Sequence, residues 1–242
     1  MGSSNLDDAI SERVNCFLQG RNDVRLLDAG CGARNHFRFS HVAKVVGIDV
    51  SAKQLEQNDA VQEKILGDIQ TYPLPKEEFD IVVCRDVLEH VPRPREALLN
   101  MFNTLKVGGL LILVFPNFFS FKGMATKFTP YRLHQLFYHY MNYTARGIHT
   151  YFRLSIIPST VIRFAKDNGF SVVFKDFIEG GLTQRFKDRF RIIKWILEFL
   201  DGVIRVASGR KSNSLFLDSC ALILIKGKIE GAGSDYRVIG VV

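Results

Sequence analysis

The chain is poor in the residues that build metal or disulfide frameworks. It has four cysteines in 242 residues, and no two of them form a Cys-x-x-C pair. Cys16, Cys31, Cys84 and Cys220 lie far apart, which excludes zinc-finger spacing and offers no disulfide framework. Free thiols in a reducing, cytoplasmic compartment are the expectation. No apolar run approaches the roughly 20 residues that a membrane-spanning helix needs. The most apolar stretches, Leu110 to Phe115 and Ala221 to Ile225, are strand length. The polar start Met-Gly-Ser-Ser does not read as a secretory leader. Disorder is excluded by composition, since 47% of residues are hydrophobic, enough for a core.

Acid is missing from one long stretch. Residues 117–153 hold Lys122, Lys127, Arg132, Arg146 and Arg153 with no Asp or Glu, and residues 179–214 hold eight basic against four acidic residues. The whole chain carries +7, so these two stretches account for all of its excess and the remainder is slightly acidic. Such placement points to an anionic substrate, a membrane surface or nucleic acid rather than to the fold at large.

Strand and helix patterns alternate along the first half. Asp8 to Gln19 reads as an amphipathic helix with Ile10, Val14, Phe17 and Leu18 on one side, ended by Gly20. Strands are expected at Arg25–Ala29, Lys44–Val50, Lys64–Leu66, Phe79–Arg85 and Leu110–Phe115. Ser51 suits the N-cap of a helix over Ala52–Gln57, and a second helix over Pro94–Leu105 is expected to close at a Gly108-Gly109 turn. A helix over Ser159–Asn168 ends at Gly169, and Phe170–Phe174 with Ser219–Lys226 suggest an antiparallel pair at the sheet edge. This order implies an α/β fold, a doubly wound and mostly parallel sheet with helices on both faces. One domain is expected over residues 1–242, with a cofactor core at 20–117, a lid at 117–153 and a basic helical insertion at 179–214.

The most specific constellation is Leu26-Leu27-Asp28-Ala29-Gly30-Cys31-Gly32, followed by Gly47-Ile48-Asp49 at the end of the next strand. Glycines let a strand-to-helix turn approach a ligand closely, and an acid about 20 residues on suits ribose hydroxyls. Ligands of open α/β sheets sit at the carboxyl ends of the strands. The dinucleotide pattern G-x-G-x-x-G is incomplete, because Gly30 and Gly32 are followed by Asn35. Asp28 would repel a pyrophosphate but can pair with the amino group or sulfonium of an amino-acid cofactor. The sign favours S-adenosylmethionine over NAD.

These residues resemble the class I S-adenosylmethionine-dependent methyltransferases, with a Rossmann-like fold. Asp28 to Gly32 is similar to the glycine-rich first motif of that family, and Asp49 stands where the ribose is bound. Gly67-Asp68-Ile69 looks like the adenine-contacting motif, Phe79 to Arg85 like strand four, and Leu105-Lys106-Val107-Gly108-Gly109 like the turn before strand five. Arg34 stands where the family has its third glycine, and the loop to the second strand is short. The resemblance covers roughly residues 20–117 and assigns the cofactor to Asp28, Gly30, Cys31, Gly32, Asp49, Val50, Asp68, Ile69 and Arg85.

Methyl transfer from a sulfonium is an in-line displacement that needs alignment and dryness, and a base only if the nucleophile keeps its proton. His90, after strand four, and His149, where the chain returns to the sheet, are the candidate catalytic residues. The pattern is most similar to the ubiquinone-biosynthesis O-methyltransferases, through Asp86-x-x-Glu89-His90, Phe115-Pro116-Asn117 and Gly147-Ile148-His149. In that type the cluster Asp86, Glu89 and His90 can hold a divalent metal, although Leu-Glu-His also occurs in metal-free relatives; no metal is assigned here.

The aromatic-rich 117–153 segment reads as a lid over an aromatic or lipid-like small-molecule acceptor, with peripheral membrane contact as the sharper reading of its basicity. Phe186, Phe190, Ile193, Ile196, Leu200, Val203 and Ile204 recur at helical spacing in the second segment, flanked by Arg185, Arg189, Arg191 and Lys194. An RNA substrate is the alternative. The Asn/Asp-Pro-Pro-aromatic motif of exocyclic-amine methylation is absent after strand four, where Arg85-Asp86-Val87 stands. A cofactor-binding module without turnover is the third reading.

Overall fold

The computed structural model describes residues 2–34, 37, 39–117, 120, 156–178 and 217–227, with isolated positions between 189 and 206. Four described helices and seven strands follow in the order α1 (Gly2–Leu18), β1 (Val24–Ala29), β2 (Val42–Asp49), α2 (Ala52–Glu56), β3 (Glu63–Leu66), β4 (Phe79–Arg85), α3 (Pro94–Thr104), β5 (Leu105–Pro116), α4 (Pro158–Asp167), β6 (Phe170–Ile178) and β7 (Ser219–Lys226). The strands form one sheet in the order β3-β2-β1-β4-β5-β7-β6. Every neighbouring pair from β3 to β5 is parallel. Strand β7 runs antiparallel to both β5 and β6, so the expected antiparallel pair closes this edge.

The parallel strands read as apolar runs because both faces are covered. One face packs Leu27, Val82, Cys84, Leu111 and Leu113 against Leu98 and Met101 of α3 and Val161 of α4. The other packs Leu26, Ile81, Val83, Ile112 and Val114 against Ile10, Val14 and Leu18 of α1. These three α1 residues recur every fourth position and are fully buried; each contributes about 1.5–3 kcal/mol. Gly20, at φ +73°, turns the chain out of the helix.

The crossover from β1 to β2 holds no helix among its described residues. Phe37 and Phe39 stack there with ring centroids 5.7 Å apart, and both pack into the cluster that α1 completes. A helix from ahead of β1 thus covers part of the face that a β1–β2 crossover helix would cover.

Several boundaries differ from the sequence reading: α1 begins at Gly2 instead of Asp8, and β2 covers Val42–Asp49 instead of Lys44–Val50. Helix α3 ends at Thr104, and Gly108 and Gly109 lie within β5 instead of in a turn before it. The register slips there, from Phe79 opposite Leu105 to Ile81 opposite Leu110, as a bulge requires. Gly108 takes φ +74°, and a Cβ on Gly109 would stand 2.9 Å from the Asp80 carbonyl oxygen. Leu105 is already extended because its side chain is fully buried in the sheet core. Strand β6 also continues past Phe174 to Ile178, drawn on by pairing with β7 as far as Ser219.

Candidate active site

The carboxyl ends of β1, β2 and β4 gather the glycine turn and its acids. The turn after β1 is tied to β2, because the Gly30 and Cys31 amides both donate to the Ile48 carbonyl, at 2.8 and 3.2 Å. Gly30 is at φ +79° and Gly32 at +54°, conformations that favour glycine. A Cβ on Gly30 would meet Val87 Cγ2 at 2.3 Å, so the turn lies directly against the segment after β4.

The Gly32 amide donates to Asp49 Oδ2 at 2.9 Å, and the Ser51 amide donates to Asp49 Oδ1 at 2.8 Å. Each carboxylate oxygen is oriented by one backbone donor and keeps a further lone pair for a hydroxyl. Ser51 caps α2, its hydroxyl accepting from the Gln54 amide as expected. Val50, just beyond β2, is 71% exposed.

Asp28, at the end of β1, is 4% exposed. Burial, with a smaller push from the Asp49 charge, raises its carboxyl to about 7. A cation arriving beside it would reverse that cost.

Cys31 reaches the turn through its backbone. Its side chain packs with Leu55 and Val61, close against Gly47, and burial followed by the charges of Asp28 and Asp49 pushes its thiol up to about 12. It is an inert core group. The Nδ2 of fully buried Asn58 donates to the Cys31 and Gly32 carbonyls at 3.3 and 3.1 Å, a brace that sequence reasoning missed. Nothing local marks Asn58, which lies 26 residues from Gly32.

Beyond β3, the Gly67 amide donates to the Asp49 carbonyl at 3.0 Å, and a Cβ on Gly67 would meet the Tyr72 ring at 2.5 Å. Asp68 Oδ1 accepts from the Gln70 backbone and side-chain amides, both at 2.9 Å. Gln70 Oε1 accepts in turn from the Arg93 amide at 2.7 Å. Ile69 is buried in the core. The Asp68–Gln70 segment is thereby pinned to the start of α3.

Arg85 departs most from its expected place. Its guanidinium pairs with Asp7 of α1 and lies 5.4 Å over the Phe37 ring. The side chain faces the α1 side of the sheet, and its carboxylate partner comes from this chain.

Asp86 follows at φ +53°, its amide donating to the Val114 carbonyl at 2.9 Å. The sharp bend leads into the turn holding Glu89, buried, and His90, whose amide donates to the Val87 carbonyl at 2.8 Å. The His90 ring is 27% exposed, with Nε2 3.9 Å from Glu89 Oε1. Among the described residues no group of three or more His, Cys, Asp or Glu is placed to hold a metal, so Asp86, Glu89 and His90 do not form one there. His149 and nearly all of the lid lie outside the described residues.

A cleft of about 500 Å³ borders α1, lined by Asp8, Glu12, Asn15, Cys16, Ser40 and His41. It lies toward the start of β2, away from the glycine turn, and is not the site of the expected chemistry.

The comparisons agree with this geometry. The methyltransferase-domain family matches residues 27–113. The chain is 32% identical over 185 residues to a ubiquinone biosynthesis O-methyltransferase of Pseudomonas fluorescens, covering 72% of both chains. It is 30% identical over 161 residues to the enzyme of that name from Coxiella burnetii, covering 63% of this chain and 64% of that one. The matched region thus spans just under two thirds of the Coxiella protein's length. In fold it is similar to an S-adenosylmethionine-dependent methyltransferase from Archaeoglobus fulgidus, at TM-score 0.57 and 20% identity, covering 93% of this chain and 94% of that one.

Sheet order, glycine turn and strand-two acid define a class I S-adenosylmethionine-dependent methyltransferase. The chain belongs to that family, and within it to the type that includes the ubiquinone-biosynthesis O-methyltransferases.

Proposed function

We propose that this chain transfers a methyl group from S-adenosylmethionine to a small-molecule acceptor, aromatic or lipid-like in character. One observation carries the reading: buried Asp28 and oriented Asp49 converge on the Gly30–Gly32 turn at the carboxyl end of the sheet. The residues present fit the cofactor. Asp28 suits its ammonium group, Asp49 its ribose hydroxyls, and the Asp68–Ile69 segment its adenine. When bound, S-adenosylmethionine supplies a methyl group already activated on a sulfonium.

The protein's contribution is to bind, orient and exclude water. In this reading His90, on the bend after β4, takes the acceptor's proton as its nucleophile becomes reactive. Arg85 stays with Asp7 and supports the sheet end from the α1 side. The relatives named as O-methyltransferases support an oxygen nucleophile, and the aromatic content of residues 117–153 supports a planar or lipidic acceptor.

The test follows label from the methyl group of S-adenosylmethionine into a panel of catechols, phenols, lipids and RNA. Transfer to a phenolic or lipidic small molecule is expected. His90→Ala should lower kcat by roughly 100-fold or more while leaving cofactor Kd unchanged. Transfer confined to RNA, or a His90→Ala loss confined to cofactor affinity, would contradict the reading.

A further inference from the structure

Pro92-Arg93-Pro94 leads into helix α3, and neither proline has a backbone N–H. The Arg93 amide is therefore the one backbone donor of that tripeptide. It donates to Gln70 Oε1 at 2.7 Å. A carboxamide has one acceptor end and one donor end. With its oxygen on Arg93, Gln70 must turn its Nε2 group the other way, onto Asp68. There Nε2 donates to Oδ1 at 2.9 Å and to Oδ2 at 2.8 Å. Gln70 is only 8% exposed, so little water competes for either end.

The Gln70 backbone amide adds a further bond to Asp68 Oδ1, at 2.9 Å. Oδ1 thus takes two donors and Oδ2 one. Among the described residues this leaves one open lone pair, on Oδ2. Asp68 is half-buried, so a ligand can reach that oxygen. A single oriented acceptor takes an N–H from a ligand and opposes an oxygen in the same place.

The surroundings suit a partly apolar ring. Val50, just beyond β2, and Leu66, at the end of β3, are 71% and 60% exposed. Asp49 and Leu66 are partners across the two strands, so both apolar side chains border the segment that holds Asp68. That segment is also gripped from α3. Asn100 Nδ2 donates to the Ile69 and Tyr72 carbonyls, both at 2.8 Å. Arg93 and Asn100 are about two helical turns apart, so both ties fall on one side of α3.

We propose that Gln70 is a positioning residue that sets the base preference of the cofactor site. By holding the Asp68 carboxylate with one open lone pair, it makes the site favour a base with an exocyclic amine over the same base with an oxygen there. Gln70 acts through Asp68 and does not itself touch the base. The inference rests on the reading of the Asp68–Ile69 segment as the adenine side.

The test compares S-adenosylhomocysteine with S-inosylhomocysteine, in which an oxygen replaces the adenine amine. Titration calorimetry gives the preference as a ratio of Kd values. Wild type should favour the amine by roughly tenfold or more, as expected for a hydrogen bond to a carboxylate. Gln70→Leu removes both contacts of the side chain. Gln70→Glu keeps an acceptor for the Arg93 amide but replaces the donors on Asp68 with a second carboxylate. Each variant should lower the ratio to about threefold or less, with S-inosylhomocysteine affinity changed by no more than about threefold. Circular dichroism and urea midpoints check folding. Gln70→Glu, with the tie to α3 kept, serves if Gln70→Leu fails to fold.

Equal weakening of both ligands with the ratio intact would make Gln70 a structural tie and overturn the proposal. A wild type that binds both ligands equally would also overturn it. Either result leaves the methyl-transfer reading standing. Failure of wild type to bind S-adenosylhomocysteine at all would overturn both.

Discussion

The Gly32 amide donates a hydrogen bond to Asp49 Oδ2 at 2.9 Å, so the turn after β1 and the acid that ends β2 form one unit across 17 residues. Asp49 therefore shapes the turn as well as presenting lone pairs, and Asn58 braces the same turn from beneath.

If Asp28 pairs with the cofactor's ammonium as proposed, binding should depend on pH. Its carboxyl is raised to about 7, chiefly by burial. Below that pH it is largely protonated, and a bound ammonium favours the ionised form. Binding should therefore release protons below about pH 7, and affinity should rise with pH toward 7 and then level off. Calorimetry of S-adenosylhomocysteine binding in buffers of different ionisation enthalpy reads the release, which Asp28→Asn should abolish.

The same group gives the cofactor-free protein an opposite dependence. A carboxyl raised in the folded state holds more protons there than in the unfolded chain. Stability should fall as pH rises from about 4 to about 7, by a few kcal/mol at most, and stay level above. Urea midpoints for wild type and Asp28→Asn across that window check this, and the variant should lose the slope.

Gly30→Ala should destabilise the protein by about 2 kcal/mol or more, for two separable reasons. The φ of +79° strains any Cβ, and the added carbon would meet Val87 Cγ2 at 2.3 Å. Adding Val87→Ala should recover the steric part and leave the backbone part. Complete recovery in the double variant would show that the conformation of Gly30 carries no cost.

Asp7→Ala would leave Arg85 without its carboxylate from α1, in a place where the side chain is only 12% exposed. A loss of about 1–3 kcal/mol is expected, discounted from a fully buried pair because Asp7 itself is 25% exposed. Asp7→Ala with Arg85→Met should be more stable than Asp7→Ala alone, since no buried cation remains. Chemical denaturation of the three variants decides this.

Much of the sheet was legible because its strands are apolar and punctuated. Phe79–Arg85 and Ser219–Lys226 have the bounds that the sequence suggested. The glycine turn and Asp49 were readable as a local pattern with a physical reason for each residue. Local reasoning failed where distant chain segments decide the outcome. Arg85 looked like a ligand-facing residue because nothing nearby reveals Asp7, 78 positions earlier. Cys31 sat inside the motif, yet packing with Val61 and Leu55 turns its thiol inward. Gly108 and Gly109 read as a turn, but the bulge they make in β5 depends on its register with β4.

The central claim, that this site holds S-adenosylmethionine through Asp28, the Gly30–Gly32 turn and Asp49, is tested most directly by titration calorimetry. S-adenosylmethionine, S-adenosylhomocysteine and NAD are each titrated into wild type and Asp49→Ala. The account predicts that the first two bind wild type, that NAD does not, and that Asp49→Ala weakens both by roughly tenfold or more through lost charge-assisted hydrogen bonds. Equal affinity in the two proteins, or binding of NAD in preference to S-adenosylmethionine, would contradict it.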